Sequence, residues 1–150
     1  MKRVYNVHNQ SFRAGWTRAL ETNKVLISKW IDAWSSNQLE LLEELFAQDY
    51  SVNGVRIGVE GVKQAVQFLH TALSDVSAEL HEMVAEDNNV VIRWTIRGRH
   101  AGQFMGIAPT GKELELNGIN IYEIGDGKIT ANHELTNISE VIQSLKAAAS

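Results

Sequence analysis

The sequence predicts an α+β domain with its helices gathered on one face of an antiparallel sheet. Two patterns carry the prediction: apolar residues recur at helical spacing through the first half, and from Val76 onward they alternate at a period of two between turn signals. Composition agrees with both. A chain of 150 residues, 44% hydrophobic and 21% charged, with 11 Gly, 1 Pro and no Cys, describes one compact domain. At this size roughly two thirds of the surface exposed by the unfolded chain is buried, enough for a core and a pocket without disulfide or metal staples.

Residues Met1 to Ala14 carry basic and polar side chains without the continuous apolar run of a secretory signal. With the residues up to 22 they read as an N-terminal arm, mobile or loosely docked, ahead of a domain spanning 23–150. From Asn23 the series Leu26, Trp30, Ala33 and Trp34 marks an amphipathic helix that stops at Ser35-Ser36-Asn37. Asn37 is the expected N-cap of a second helix, which sets Leu41, Leu42, Leu45 and Phe46 against Glu40, Glu43 and Glu44. Tyr50 to Ile57 reads as short strands broken at Asn53-Gly54. Val62, Ala65, Val66, Leu69 and Leu73 then restore a helical stripe.

Beyond it, Val76, Ala78, Leu80 and Val84 alternate with Ser77, Glu79, His81 and Met83 as far as the turn Glu86-Asp87-Asn88-Asn89. Val90, Ile92, Trp94 and Ile96 then alternate with Arg93, Thr95, Arg97 and Arg99 in a half-buried strand. The stretch Gly98 to Gly111 interrupts this pattern. Leu114 to Ile124 and Ile129 to Ile138 are the last strands, joined by Gly125-Asp126-Gly127, and Ser139 to Ala149 reads as a closing helix.

Several function classes are excluded. The 14 basic and 18 acidic residues give a net charge of −4, and the basic residues are scattered, so no nucleic-acid footprint exists. No apolar run approaches the ~20 residues of a membrane span. Lack of cysteine removes thiol nucleophiles and thiolate metal sites, and it fits a reducing, cytoplasmic compartment. The histidines His8, His70, His81, His100 and His133 show no metal-binding spacing, so no metal is expected. Phosphate-cradling loops, dinucleotide fingerprints and serine-nucleophile elbows are also missing, and no cofactor is expected.

The last hairpin carries the chemistry. A three-residue loop with Gly127 in its left-handed third position pairs Ile124 with Lys128, Tyr122 with Thr130, Asn120 with Asn132 and Gly118 with Glu134, all on one face. Asn120 and Glu134 become diagonal neighbours. A two- or four-residue loop would flip the parity and bring His133 beside Asn120 instead. A carboxylate and an amide beneath a cupped apolar sheet are the parts needed for proton transfer at carbon, the first as base and the second as donor to an enolate oxygen. The rival reading puts Glu134 on the wet face.

Other residues have two readings each. His100 lines a pocket mouth or is a hydrogen-bonded structural group. Arg93 anchors a carbonyl or anionic oxygen, or lies on the wet face with Arg97. Trp30, Trp34, Trp94 and Phe68 are aromatic walls around a flat ligand or ordinary core, while Tyr122 and Asn132 belong to the face that carries Asn120.

The segment from Val90 to Glu134 resembles the SnoaL-like polyketide cyclases, also called ester cyclases, a branch of the nuclear-transport-factor-like fold. The likeness rests on Arg93-Trp94-Thr95, on Gly98-x-His100-x-Gly102-x-x-x-Gly106-Ile107-x-Pro109-Thr110-Gly111, on Gly118-Ile119-Asn120-Ile121-Tyr122 and on Asp126-Gly127-Lys128-Ile129. Weaker likeness extends upstream through Glu44-Leu45-Phe46-Ala47-x-Asp49-Tyr50 and Glu60-Gly61-Val62. The resemblance implies an α+β cone, or open barrel, in which helices close a curved antiparallel sheet around a deep apolar cavity, often dimeric through the sheet. It also implies ring closure of a hydrophobic polyketide ester by intramolecular aldol condensation, without metal or cofactor. The family's acid/base aspartate is matched by Glu134 and its nearby histidine by Asn120, both substitutions. Glu134 and Asn120 are therefore the expected catalytic pair. His100, Arg93, Tyr122, Trp34, Trp30, Phe68 and Asn132 are the expected substrate contacts. Hydrolysis or isomerisation in the same cavity, and non-catalytic binding of a hydrophobic ligand, are the alternatives.

Overall fold

Helix α1 (Gln10–Ser35) is the first element of the computed structural model, which describes the chain from residue 10 to 150, with side chains described from residue 18. The helix expected from Asn23 thus begins earlier, and the boundary drawn at residue 22 falls inside it; the arm's first nine residues lie outside the described residues. Its buried stripe includes Ile27, Ala33 and Trp34. Asn37 ends α1 instead of capping the next helix. Its φ is 55°, its N–H bonds Trp34 O at 3.2 Å, and the Gln38 N–H bonds Ala33 O at 2.9 Å. That pair of bonds is a Schellman closure, for which the left-handed tolerance of Asn is suited.

The second helix is shorter than its apolar pattern suggests: a 3-10 turn (Leu39–Leu41) leads into α2 (Leu42–Leu45), which buries Leu42 and Leu45. Phe46, expected on that helix, already opens strand β1 (Phe46–Val52). A tight turn at Asn53-Gly54, both left-handed, returns the chain as β2 (Val55–Arg56). Helix α3 (Gly58–Ala72) follows, burying Val59, Val62, Val66 and Ala72. Then come β3 (Leu73–Glu86), β4 (Asn89–His100), β5 (Glu113–Gly125), β6 (Lys128–Thr136) and α4 (Ile138–Ala149).

The six strands form one unclosed sheet in the order β2-β1-β6-β5-β4-β3. It is mixed, not purely antiparallel, because β1 runs parallel to β6, pairing Val52 with Asn132. Turn signals reveal only how consecutive strands meet, and these two are separated by most of the domain. Strand β3 also departs from simple alternation. Its pairing with β4 shifts between Leu80 and Glu82, leaving His81 as an extra residue. The bulge swaps faces, so Val84 turns outward at 61% exposure while Met83 and Ala85 pack on the core.

The helices cover one face of the sheet, where Phe46, Val90, Phe104 and Ile129 are fully buried. The even positions of β4 and β5 face this side. Their odd positions form the opposite, open face, where Arg97 bonds Glu79 and Glu115 and Arg99 pairs with Glu113. Among the described residues no helix is long and apolar enough to cross a membrane.

Candidate active site

The β5–β6 register brings the expected pair together by a route different from the predicted one. Gly125 pairs with Lys128 across a two-residue turn in which Asp126 and Gly127 are both left-handed, and Ile124 pairs with Ile129. Uncorrected, that turn would set Asn120 against His133. The register shifts by one residue after Ile124, leaving Thr130 extra, its Oγ1 bonded to Glu123 O at 3.1 Å. Asn120 consequently lies directly opposite Glu134, and Tyr122 opposite Asn132. His133 turns to the open face beside Glu123.

Hydrogen bonds lock the orientation of each group. Trp94 Nε1 donates to Asn120 Oδ1 at 2.7 Å, and because an indole N–H only donates, the Asn120 amide nitrogen must face the other way. From there Nδ2 reaches the Tyr122 hydroxyl at 3.0 Å and Glu134 Oε2 at 3.3 Å. Asn132 Nδ2 supplies a second bond to Glu134 Oε2 at 3.2 Å. Trp30 Nε1, on α1, donates to the Tyr122 hydroxyl at 3.0 Å, and its ring stands edge-on to Phe46 at 4.8 Å. The Glu134 backbone is clamped as well: its N–H donates to Asn53 Oδ1 at 2.9 Å and its carbonyl accepts from Asn53 Nδ2 at 3.3 Å.

Glu134 is a carboxylate held by neutral amides. Among the described residues it makes no ion pair, and its Oε1 accepts no hydrogen bond. Burial pushes the Tyr122 phenol up to about 12, with the Trp30 and Asn120 donors pulling back and the Glu134 charge adding to the rise. Burial also raises Tyr50 well above the ordinary tyrosine value, reinforced by Tyr122 and opposed by the Asn132 amide. Both phenols keep their protons at neutral pH.

These groups form one end of a cavity of about 200 Å³ between the sheet, α1 and α3. Trp30, Trp34, Tyr50, Trp94 and Tyr122 give it aromatic walls, and Val62, Val66, Ile92 and Ile96 complete an apolar lining. Glu79 also borders it, but Arg97 takes that carboxylate at 3.0 Å and holds it below the usual carboxylate range. Among the described residues no lysine or arginine lines the space.

Six of the nine expected site residues line this cavity: Glu134, Asn120, Tyr122, Asn132, Trp30 and Trp34. Three do not. Arg93 occupies an odd position of β4, so it projects from the open face and pairs with Glu82 at 3.1 Å. His100 is fully buried elsewhere in the core, its Nδ1 accepting from the Thr110 N–H at 3.2 Å and its ring edge-on to Phe104. Phe68 stacks on Phe104 at 5.4 Å and is partly exposed. Three contributors were missed in the sequence: Tyr50, the clamp Asn53, and Trp94 as an orienting donor. For Trp94 a signal existed in Gly118, its partner on β5. A Cβ there would stand 2.2 Å from Trp94 Cζ2, and mid-strand glycine marks such close approaches.

A family model of SnoaL-like polyketide cyclases matches residues 24–145. The chain belongs to the SnoaL-like polyketide cyclase family. Curated members similar to it include aklanonic acid methyl ester cyclase DnrD of Streptomyces peucetius, 27% identical over 118 residues, covering 73% of this chain and 81% of that protein. DauD of Streptomyces sp. (strain C5), which carries the same description, is 28% identical over 112 residues, covering 69% of each chain. Among solved structures, TsrD from Streptomyces laurentii superposes with a TM-score of 0.76 at 22% identity, over 85% of this chain and 96% of that one. IdmH from Streptomyces antibioticus gives 0.71 at 26% identity, over 83% and 98%. The SnoaL-like fold expected from the resemblance is therefore present, with helices over a curved sheet that is unclosed and mixed.

Proposed function

We propose that this SnoaL-like protein closes a ring in an apolar, carbonyl-bearing polyketide-type substrate by an intramolecular aldol step, with Glu134 as the base. The observation that carries the reading is the state of Glu134: a carboxylate fixed by two amide donors, unneutralised by any described cation, at the wall of an aromatic-lined cavity. Glu134 Oε1 takes a proton from the carbon next to a carbonyl, and the C–H electron pair forms the enolate. The enolate carbon then attacks a second carbonyl of the same molecule. The new alkoxide takes the proton back from Glu134, so atoms and electrons balance without an oxidant, a reductant or a metal. The walls favour this step by folding the substrate so that its two reacting carbons meet.

Both alternatives find less support. A hydrolase of related type needs a second carboxylate and an arginine at the water, but Arg93 lies on the open face with Glu82, and Glu79, the other carboxylate bordering the cavity, is tied to Arg97, itself bonded to Glu115 on that open face. A passive carrier is best served by an all-apolar lining or by a Glu134 neutralised in a salt bridge. The experiment is ring closure of aklanonic acid methyl ester and simpler polyketide esters by the wild type and Glu134→Gln. A fall of about 100-fold to 10,000-fold in the variant is expected. Undiminished turnover removes Glu134 from the mechanism.

A homodimer is part of the same proposal. Val84, Ile119, Ile121 and Leu135 are 61%, 48%, 41% and 80% exposed on the sheet face opposite the described helices, an apolar strip suited to a second copy.

A further inference from the structure

We infer that the Tyr122 hydroxyl, aimed by Trp30 and Asn120, donates the hydrogen bond that holds the enolate oxygen. The inference rests on Glu134 being the base and supplies its electrophilic partner. It follows from counting hydrogen-bond capacity. A phenol oxygen accepts two hydrogen bonds and donates one. Trp30 Nε1 and Asn120 Nδ2, each at 3.0 Å, fill the two accepting positions.

Neither donor can reverse its role. Indole N–H never accepts, and the Asn120 amide is held in one orientation by the Trp94 indole on its oxygen. The Tyr122 proton must therefore leave in a third direction. No acceptor bonds it among the described residues, since even the buried Asn132 Oδ1 on the facing strand makes no hydrogen bond, and the side chain lines the cavity. An incoming carbonyl oxygen is the partner that completes the set. Two donors on the phenol oxygen also strengthen the O–H as a donor, since hydrogen bonds in a chain polarise one another.

The same count changes the role of Asn120. Both of its amide protons are already committed, one to Tyr122 and one to Glu134. It is a positioning residue that spaces the base from the donor, and the enolate oxygen belongs to Tyr122. Tyr50 is the competing phenol. Tyr122, the Asn132 amide and Glu134 all act on it, and no pair of donors fixes its oxygen among the described residues, so its proton is not driven in one direction.

The test uses the Glu134→Gln protein, whose neutral amide imitates the protonated base, and a substituted naphthol followed by fluorescence as its naphtholate, an enolate mimic. Naphthalene serves as the neutral control for an intact cavity. Adding Tyr122→Phe is expected to weaken naphtholate binding about 10-fold to 100-fold while naphthalene binding is unchanged. Equal naphtholate affinity, or a loss that follows Tyr50→Phe instead, overturns the inference. A second measurement covers a Tyr122→Phe chain that fails to fold. With Tyr5 and Tyr50 changed to Phe, 3-fluorotyrosine enters only at position 122 and makes a more acidic phenol of nearly the same shape. Tighter naphtholate binding is expected, and unchanged binding overturns the inference. Wild-type turnover in Glu134→Gln alone would reject the base itself, a failure separate from either result on Tyr122.

Discussion

Asn53 does for Glu134 what a strand would do if β1 were one residue longer. The backbone turns away at Asn53-Gly54, and the Asn53 side-chain amide replaces the missing peptide by bonding both the N–H and the carbonyl of Glu134. Asn53→Gly keeps the left-handed backbone and removes only this amide. It is expected to cost about 1 kcal/mol in denaturant unfolding and to lower kcat more than KM, because the base is left less well placed. Glu134→Asp withdraws the carboxylate by one methylene from the two amides that hold it. A displacement of about 1 Å predicts a loss on the order of 100-fold in kcat/KM. The buried phenols add a pH dependence. For Tyr122 the folded value of about 12 lies above the ordinary 10.0, so its contribution is complete below pH 10.0 and is lost as pH rises towards about 12. Alkaline unfolding followed by circular dichroism should be shallower over that range in Tyr122→Phe than in the wild type.

Among the elements, β4 and β5 are the most constrained pair, because Gly118 on one makes room for Trp94 on the other. Gly118→Ala would place a methyl 2.2 Å from Cζ2 and 2.5 Å from Cε2 of the indole, which must move and release Asn120. Destabilisation of about 1–3 kcal/mol is expected, together with loss of ring closure; thermal melts and turnover check the two parts separately. Strand β4 was legible because apolar and polar residues alternate along most of it, and β5, whose open face mixes glutamates with Ile119 and Ile121, because turn signals bound it. The β5–β6 face was also read correctly, although through the wrong turn: a three-residue loop and a two-residue loop followed by the Thr130 bulge give the same parity. Bulges escaped because an extra residue need not interrupt the apolar pattern. At His81 the alternation seemed to run on to Val84, and only pairing with β4 shows the change of face. Arg93 and His100 each had two readings, and the structural one of each holds: strand parity turns Arg93 to the open face that also carries Arg97, and Thr110 and Phe104 engage His100 inside the core.

At the scale of the whole molecule, the cavity and the bare sheet face lie on opposite sides of one layer of strands. Ile121→Glu should therefore convert a dimer into a monomer by sedimentation while leaving activity per chain near wild type; retention of the dimer would reject the apolar strip as its contact. The parallel pairing of β1 with β6 bears on a different matter, the order of assembly. Strands β3 to β5 are consecutive in the chain, joined by a tight turn and by the loop between His100 and Glu113, and can pair locally, whereas Val52 meets Asn132 only by closing a much longer stretch of chain. Tyr50 and Asn53 wait on one side of that closure, Asn132 and Glu134 on the other. During synthesis the chain therefore carries most of its sheet before Glu134 and Asn132 can join Tyr50 and Asn53. In refolding, far-ultraviolet circular dichroism should recover ahead of naphthalene binding, with the Glu134 end of the cavity the last part of the molecule to form.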